Sequence, residues 1–150
     1  MISIRQVTQE NSPQLVTLFN AYRVWYGQPS DIEGAEKFLG ERIREKESVV
    51  YAAFDGKDTM VGFTQLYPLY SSTRLGRVWL LNDLYVSPSH RGQGISIQLI
   101  DRAKHLATET EAVGVLLETE KSNAIGNNLY PRTGFVLEED FNHYFWAHSF

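Results

Sequence analysis

Residues 79–106 most constrain what this chain can fold into. They read Trp79-Leu80-Leu81-Asn82-Asp83-Leu84-Tyr85-Val86, then Ser87-Pro88-Ser89-His90, then Arg91-Gly92-Gln93-Gly94-Ile95-Ser96, and continue to Leu106. The opening run is apolar apart from Asn82 and Asp83 and holds aromatic and β-branched residues, which predicts a buried strand. Pro88 ends it, because proline has no N–H for a ladder. Ile95, Leu99, Ala103 and Leu106 then fall on one side of a helix over 92–106. A strand feeding a glycine-rich turn that opens a helix is an arrangement that binds anions. The first helical N–H groups lack internal partners, and the helix dipole adds partial positive charge there.

The glycine spacing narrows the kind of turn. Gly92 and Gly94 allow a ligand close to the backbone, where a Cβ would stand in the way. No Gly-Lys-Ser/Thr follows, so a Walker loop is excluded. No third glycine completes G-x-G-x-x-G, so the dinucleotide fingerprint is excluded too. The pattern Arg91-x-x-Gly94-x-Ser96 resembles the R/Q-x-x-G-x-G/A pyrophosphate loop of the GNAT superfamily of N-acetyltransferases. Asn82-Asp83-Leu84-Tyr85-Val86-x-Pro88 is similar to the strand and exit turn before that loop. Asn123, Leu129, Tyr130, Gly134 and Phe135 match the family pattern N-x-x-A-x-x-L-Y-x-x-x-G-F. Each motif departs once: Ser96 stands for Gly/Ala, and Gly126 for Ala. A loose likeness extends over the whole chain.

Length and composition set the bounds. With 150 residues, 43% of them hydrophobic and 13% aromatic, the chain suits one domain over 1–150 with a proper core. It has no cysteine, which removes disulfides, thiolate metal sites and a cysteine nucleophile. Arg5 and Glu10 interrupt any early apolar segment, so a cytoplasmic protein with no membrane partner is the expectation. A net charge of −4 argues against a nucleic-acid partner. The four histidines, at 90, 105, 143 and 148, show no ligand spacing, and no metal is assigned.

Taken in order, Ile2 and Ile4 alternate with polar residues as a half-buried strand. Ser12 as N-cap and Pro13 as first helical residue open a helix whose apolar face carries Leu15, Leu18, Phe19, Tyr22 and Trp25. Ser30 and Glu33 have capping-box spacing for a second helix bearing Ala35, Phe38, Leu39 and Ile43. Strands are expected over 49–54 and 59–70, joined at Asp55-Gly56-Lys57-Asp58, with a polar loop over 71–76. After the 92–106 helix come a strand over 113–119, a short helix over 123–130, and a closing hairpin of 134–137 and 141–146. The order β-α-α-β-β-β-α-β-α-β-β describes an α/β fold. Its mixed, mostly antiparallel central sheet has helices on both faces, and the GNAT resemblance implies the same order.

The resemblance also implies chemistry. Acetyl transfer from a thioester to an amine requires that the amine lose a proton, that the carbonyl oxygen be stabilised, and that sulfur leave as thiol. In the family, a bulge parts the organising strand from its neighbour, and pantetheine pairs with the strand end. Leu84, Tyr85 and Val86 would supply that contact through main-chain atoms. Amides of Gln93, Gly94, Ile95 and Ser96, with Gly92 in the turn and Arg91 as a supporting charge, would hold the pyrophosphate of acetyl-CoA. Tyr130 would protonate the leaving sulfur, or else pack between helix and sheet. Pro131 disfavours helical torsions at Tyr130, and Gly126 weakens the same helix. Asn123 would cap that helix or touch the cofactor. Asp83 or Glu118 would take the amine proton, and Asp83 reads equally as a structural carboxylate. Tyr22, Trp25 and Tyr26 would border the acceptor, or form a plain apolar helix face.

The expectation is an N-acetyltransferase that moves acetyl from acetyl-CoA directly to the primary amine of a small molecule, amino-acid or polyamine-like. Acetylation of a protein lysine or N-terminus is an alternative within the enzyme class. A non-catalytic acyl-CoA sensor is an alternative outside it, and a nucleotide-binding domain unrelated to acyl transfer is a third. Phe141, Tyr144, Phe145 and Trp146 leave open either a homodimer interface or an edge strand on the chain's own sheet.

Overall fold

A computed structural model of the chain describes residues 1–149. Its packing divides into two units, Met1–Glu118 and the residues from Thr119 onward.

The first unit is built on five strands: β1 (Ser3–Gln6), β2 (Val49–Phe54), β3 (Met60–Ser71), β4 (Gly76–Val86) and β5 (Gly114–Leu116). They lie in that order across one sheet. The first three pairings are antiparallel and β4–β5 is parallel. Helices α1 (Ser12–Trp25), α2 (Ile32–Arg44) and α3 (Ile95–Glu109) belong to this unit. The mixed, mostly antiparallel α/β sheet expected from the sequence is present. β4 is longer than expected and β3 is shifted by one residue, because the hairpin between them continues to Ser71 and Gly76 and the polar loop shrinks to four residues. β5 is shorter than the expected 113–119, because only Gly114, Val115 and Leu116 find partners on β4.

The two faces of the sheet are covered by different helices. Val50, Ala52, Phe54, Phe63 and Tyr85 share one core with Leu15, Val16, Leu18 and Phe19 of α1 and with Ala35 and Leu39 of α2. On the other face, Ile95, Leu99, Ile100 and Ala103 of α3 are buried, and the Arg102 guanidinium lies 4.3 Å over the Tyr51 ring. The Trp79 indole N–H also points to that side and donates to Thr110 Oγ1 at 2.9 Å. Both expected caps are displaced by one residue. α2 is capped by Asp31, whose carboxylate accepts from Gly34 N at 2.8 Å, while Ser30 Oγ accepts instead from Asn20. α1 takes Asn11 as its N-cap position, with no side-chain cap bond.

One irregularity sets the faces of β4. Gln65 pairs with Asp83 and Leu66 with Leu81, so Asn82 is an extra residue with no partner across the ladder. Side chains alternate along a strand, and Gln65 and Leu66 point to opposite faces. The bulge therefore puts Trp79 and Leu81 toward α3, and Asp83 and Tyr85 toward α1.

The second unit holds α4 (Ala124–Arg132). The expected closing hairpin is not there: residues 134–149 form no strand pairing. The link between its two halves is Glu138-Glu139-Asp140, three adjacent acids with none of the glycine or asparagine that tight hairpin turns need. Aromatic content predicted strands at 141–146, but strand character alone does not supply a partner.

The bulge yields a first prediction. Inserting one residue between Gln65 and Leu66 would give Asn82 a partner, remove the bulge and put Asp83 and Tyr85 on the same face as Leu81, forcing a carboxylate and a tyrosine into positions shaped for apolar side chains. The expected result is loss of a cooperative thermal transition by circular dichroism. Asn82→Ala, which keeps the residue count, should cost only about 1 kcal/mol.

Candidate active site

Asp83 is the buried charge of the first unit. It is 5% exposed and sits on β4 facing α1. Gln65 Nε2 donates to its Oδ2 at 2.8 Å, Asn82 Nδ2 donates to Oδ1 at 3.2 Å, and the Tyr22 hydroxyl is a further partner. Thr64 Oγ1 donates to the Asp83 carbonyl at 2.8 Å. Burial pushes the Asp83 carboxyl above the usual carboxylate range, and the three side-chain hydrogen bonds only partly oppose it. Nearby Tyr67 has its hydroxyl pushed up to about 12, first by burial and then by the Asp83 charge, against the pull of Arg42. Gln65 Oε1 is buried and has no partner.

Aromatic rings surround this carboxylate. Tyr22 stands edge-on to Phe63 at 5.7 Å, to Tyr85 at 5.9 Å and to Tyr26 at 5.0 Å. Trp25 and Tyr26 close the end of α1, and Trp25 is 61% exposed, so it is no part of the apolar stripe. The structure thus groups Tyr22 with Asp83, and places Trp25 beside Arg91. Arg91 Nε donates to the Val86 carbonyl at 2.9 Å, and its guanidinium lies 4.4 Å from the Trp25 ring centre and 5.4 Å from that of Tyr85. It clasps the end of α1 to the exit of β4 rather than standing free as a charge.

The turn after β4 has the geometry that its glycines suggest. Gly92 and Gly94 take φ of +76° and +75°, and α3 starts at Ile95, with Gly94 as its N-cap and no side chain capping it. The helix thus begins later than the expected 92, since left-handed glycines cannot be helical residues. A Cβ built on either glycine meets nothing within 4 Å. The N–H groups of the first turn, through Ser96, are the ones an α-helix leaves without internal partners. On β4 itself, pairing with β5 stops at Leu80, so Leu84, Tyr85 and Val86 have β3 alone as a ladder partner. Glu118 lies two residues past the end of β5, on the surface.

In the second unit, Asn123 caps α4. Its Oδ1 accepts from Gly126 N at 3.1 Å and its Nδ2 donates to Thr119 Oγ1 at 2.8 Å. A Cβ on Gly126 would stand 2.5 Å from Asn123 Nδ2, so the amide end of Asn123 would have to shift to admit one. Pro131 sits inside α4 without ending it, because the helix has only one more residue to run. Tyr130 keeps helical pairing, its carbonyl accepting from Thr133 N and Phe135 N at 3.1 Å each, and its ring packs edge-on to Phe135.

Comparison with known proteins agrees with this geometry. The model of the acetyltransferase (GNAT) family matches residues 14–135. The chain belongs to the GNAT acetyltransferase family. It is 38% identical over 143 residues to YhfO, an uncharacterized N-acetyltransferase of Bacillus subtilis, covering 95% of each chain. A crystal structure described as a probable acetyltransferase superposes with a TM-score of 0.93 at 40% identity, covering 98% of each chain. A structure from Clostridium acetobutylicum, described as a predicted acetyltransferase with acetyl-CoA, has a TM-score of 0.78 at 18% identity and covers 96% of each chain, which shows the shared fold.

As a GNAT acetyltransferase the protein is an enzyme of acyl transfer, and members of its family use acetyl-CoA. Sequence reasoning missed Gln65 and Tyr67, the buried amide and the half-buried hydroxyl around Asp83. A signal was available: Thr64-Gln65 is a polar pair inside an otherwise apolar strand, and buried polar residues are the informative exception in a core.

The Asp83 carboxyl gives the GNAT fold a pH dependence whose sign follows from its environment. Its folded pKa lies above the unfolded value, so its contribution favours folding in acid and is lost as pH rises through the folded pKa. Asp83→Asn should therefore gain thermal stability relative to the parent as pH is raised from about 4 to 7. Rotating the Gln65 amide would let its orphan oxygen accept from the new side chain. Melting curves across that range test it, and a constant difference would contradict the assignment.

Proposed function

We propose that this GNAT enzyme transfers acetyl from acetyl-CoA directly to the primary amine of a small molecule, amino-acid or polyamine-like. The observation that carries this reading is the buried Asp83 carboxylate, ringed by Tyr22, Gln65 and Tyr67, on the strand that runs into the uncapped glycine turn. An anionic carboxylate among aromatic rings suits an ammonium group, which gains from both charge and ring faces. The family match crosses from the first unit into the second, which supports treating 1–150 as one catalytic domain.

The residues fit an acyl-CoA ligand. Amides of Gln93, Gly94, Ile95 and Ser96 would take the pyrophosphate, since two left-handed glycines and an uncapped helix start leave donors turned outward with no Cβ among them. Main-chain atoms of Leu84, Tyr85 and Val86, beyond the last β5 pairing, would bond the pantetheine arm. Bound acetyl-CoA supplies an activated thioester. Asp83 would accept the proton that the amine sheds, its raised pKa moving it toward the range of a base near neutrality. Glu118 is the alternative base, from an exposed position. Tyr130, matched to the family tyrosine, would return a proton to the sulfur as the carbon–sulfur bond breaks. Tyr22, Trp25 and Tyr26 would border the acceptor. No cysteine is needed if the amine attacks directly.

A panel of amines with acetyl-CoA, read by free-thiol release and mass spectrometry, tests the class of acceptor. Turnover with small amines is expected, and tight CoA binding without turnover of any amine would make the protein a sensor. Gly94→Val should weaken CoA binding by at least tenfold, because a β-branched residue resists positive φ and places methyl groups among the donors. Gly94→Asn, which tolerates left-handed torsions, should keep the fold and lose less affinity; equal binding by Gly94→Val and the parent would remove the pyrophosphate assignment. Tyr130→Phe keeps the ring and should lower kcat on the order of 10²-fold with CoA affinity nearly unchanged. Retained activity would withdraw the acid role.

A further inference from the structure

Gln65 lies on β3 directly across the ladder from Asp83 and is fully buried. Its amide is engaged at one end only. Nε2 donates to Asp83 Oδ2 at 2.8 Å, while Oε1 is enclosed and meets no donor among the described residues. A buried acceptor without a partner is destabilising, and packing alone gives no reason to keep one. Methionine would fill a similar volume without that penalty.

The idle oxygen gains a partner when Asp83 carries a proton. A charged carboxylate only accepts, whereas a neutral carboxyl has one O–H to donate. An amide keeps almost the same shape when its two ends change places. A half-turn about its last bond therefore replaces the Nε2 donor with the Oε1 acceptor and leaves the packing as it was. Asn82 donates to the other carboxylate oxygen, Oδ1, at 3.2 Å from an exposed position. The titratable side chains around Asp83 are Tyr22 of α1 and Tyr67 of β3, with Tyr85 two residues further along β4. Tyr67, pushed up to about 12 by burial and then by the Asp83 charge, keeps its proton throughout the range in which carboxyls titrate. Arg42 of α2 bears on Tyr67 and is itself paired with Glu41 and Glu47.

We propose that Gln65 is the positioning residue of Asp83, an amide that donates to the carboxylate while it is charged and turns to accept from it once it holds a proton. The inference rests on the reading of Asp83 as the base that deprotonates the acceptor. In that step an N–H bond of the acceptor breaks and an O–H bond forms on the carboxyl. The proton then passes to water, and the carboxylate returns. Gln65 follows the proton in both directions, so Asp83 keeps a hydrogen bond in each state. The bond to the charged form is the stronger, since an ionised partner roughly doubles a hydrogen bond. Burial raises the carboxyl, and the Gln65 bond is the foremost of those that oppose it. Taking the amide away pushes Asp83 further toward its neutral form.

Gln65→Met keeps the length of the side chain and removes both ends of the amide. The Asp83 carboxyl, followed by carbon NMR through a pH titration of the free protein, should have its midpoint raised by about 0.5–1 unit. In the parent, the Gln65 Nε2 protons should change neighbours through the Asp83 midpoint, as read by nuclear Overhauser contacts. With acetyl-CoA and a small amine, the acid limb of kcat/KM should move up with the carboxyl, and the loss should be deepest in acid. A merely structural role would lower the rate by one factor at every pH. A midpoint unchanged by the substitution, or Nε2 protons that keep the same neighbours across the titration, would overturn the proposal. A midpoint that moves while the rate profile stays would uphold Gln65 as the partner of Asp83 and withdraw Asp83 as the base. Should the variant fail to fold, the amide contacts in the parent chain decide alone.

Discussion

The extra residue in β4 is the constraint on which the site depends. Without a bulge at Asn82, alternation would send Asp83 and Tyr85 to the same face as Trp79 and Leu81, beneath α3. With it, the strand changes allegiance midway. Its first half packs on α3, where Trp79 bonds Thr110. Its second half presents a carboxylate and a tyrosine to the aromatic end of α1. β4 thus serves as core for one helix and as chemical surface for another, and the turn after Val86 begins from the half that carries the charge.

A buried carboxylate is costly, and its surroundings show how that cost is limited. Gln65, Asn82 and Tyr22 all donate to Asp83, yet desolvation still dominates its pKa. An apolar residue of similar size would serve stability better, as replacements of buried charges often do. Groups shifted in this way cluster at functional sites, and Tyr67, driven to about 12, lies alongside the charge. The unsatisfied Gln65 oxygen belongs to the same picture, since a buried acceptor without a partner is expensive wherever it has no use.

The glycine turn and the Arg91 clasp solve a second problem. Two left-handed residues let the chain reverse from β4 into α3 while its first helical amides stay open. Arg91 is spent elsewhere, between Trp25, Tyr85 and the Val86 carbonyl. It fastens the end of α1 to the strand that leads to the turn, so the aromatic cluster and the glycine turn share one corner.

Much of this was legible in the residues alone. Apolar runs and helical spacing placed all five strands of the sheet and four helices, because burial leaves a periodic trace. Gly92 and Gly94 announced their turn, since no other residue takes those torsions so cheaply. Other features belong to the tertiary structure. The bulge leaves no mark on Asn82, as any residue can be the unpaired one, so the facing of Asp83 was decided by register with β3. Arg91 carries a charge that suits phosphate, but its contact with Trp25, far along the chain, is set by the fold alone. Gly126 reads as a weak helix residue, and the fold sets its N–H on the Asn123 cap with the Asn123 amide close beside its Cα. The aromatic residues at 141–146 declare a strand, while whether a strand forms depends on an edge to receive it. Sequence determines what each segment can bury and which torsions it can adopt; only the assembled sheet decides which side chains meet, because that depends on register and on partners far along the chain.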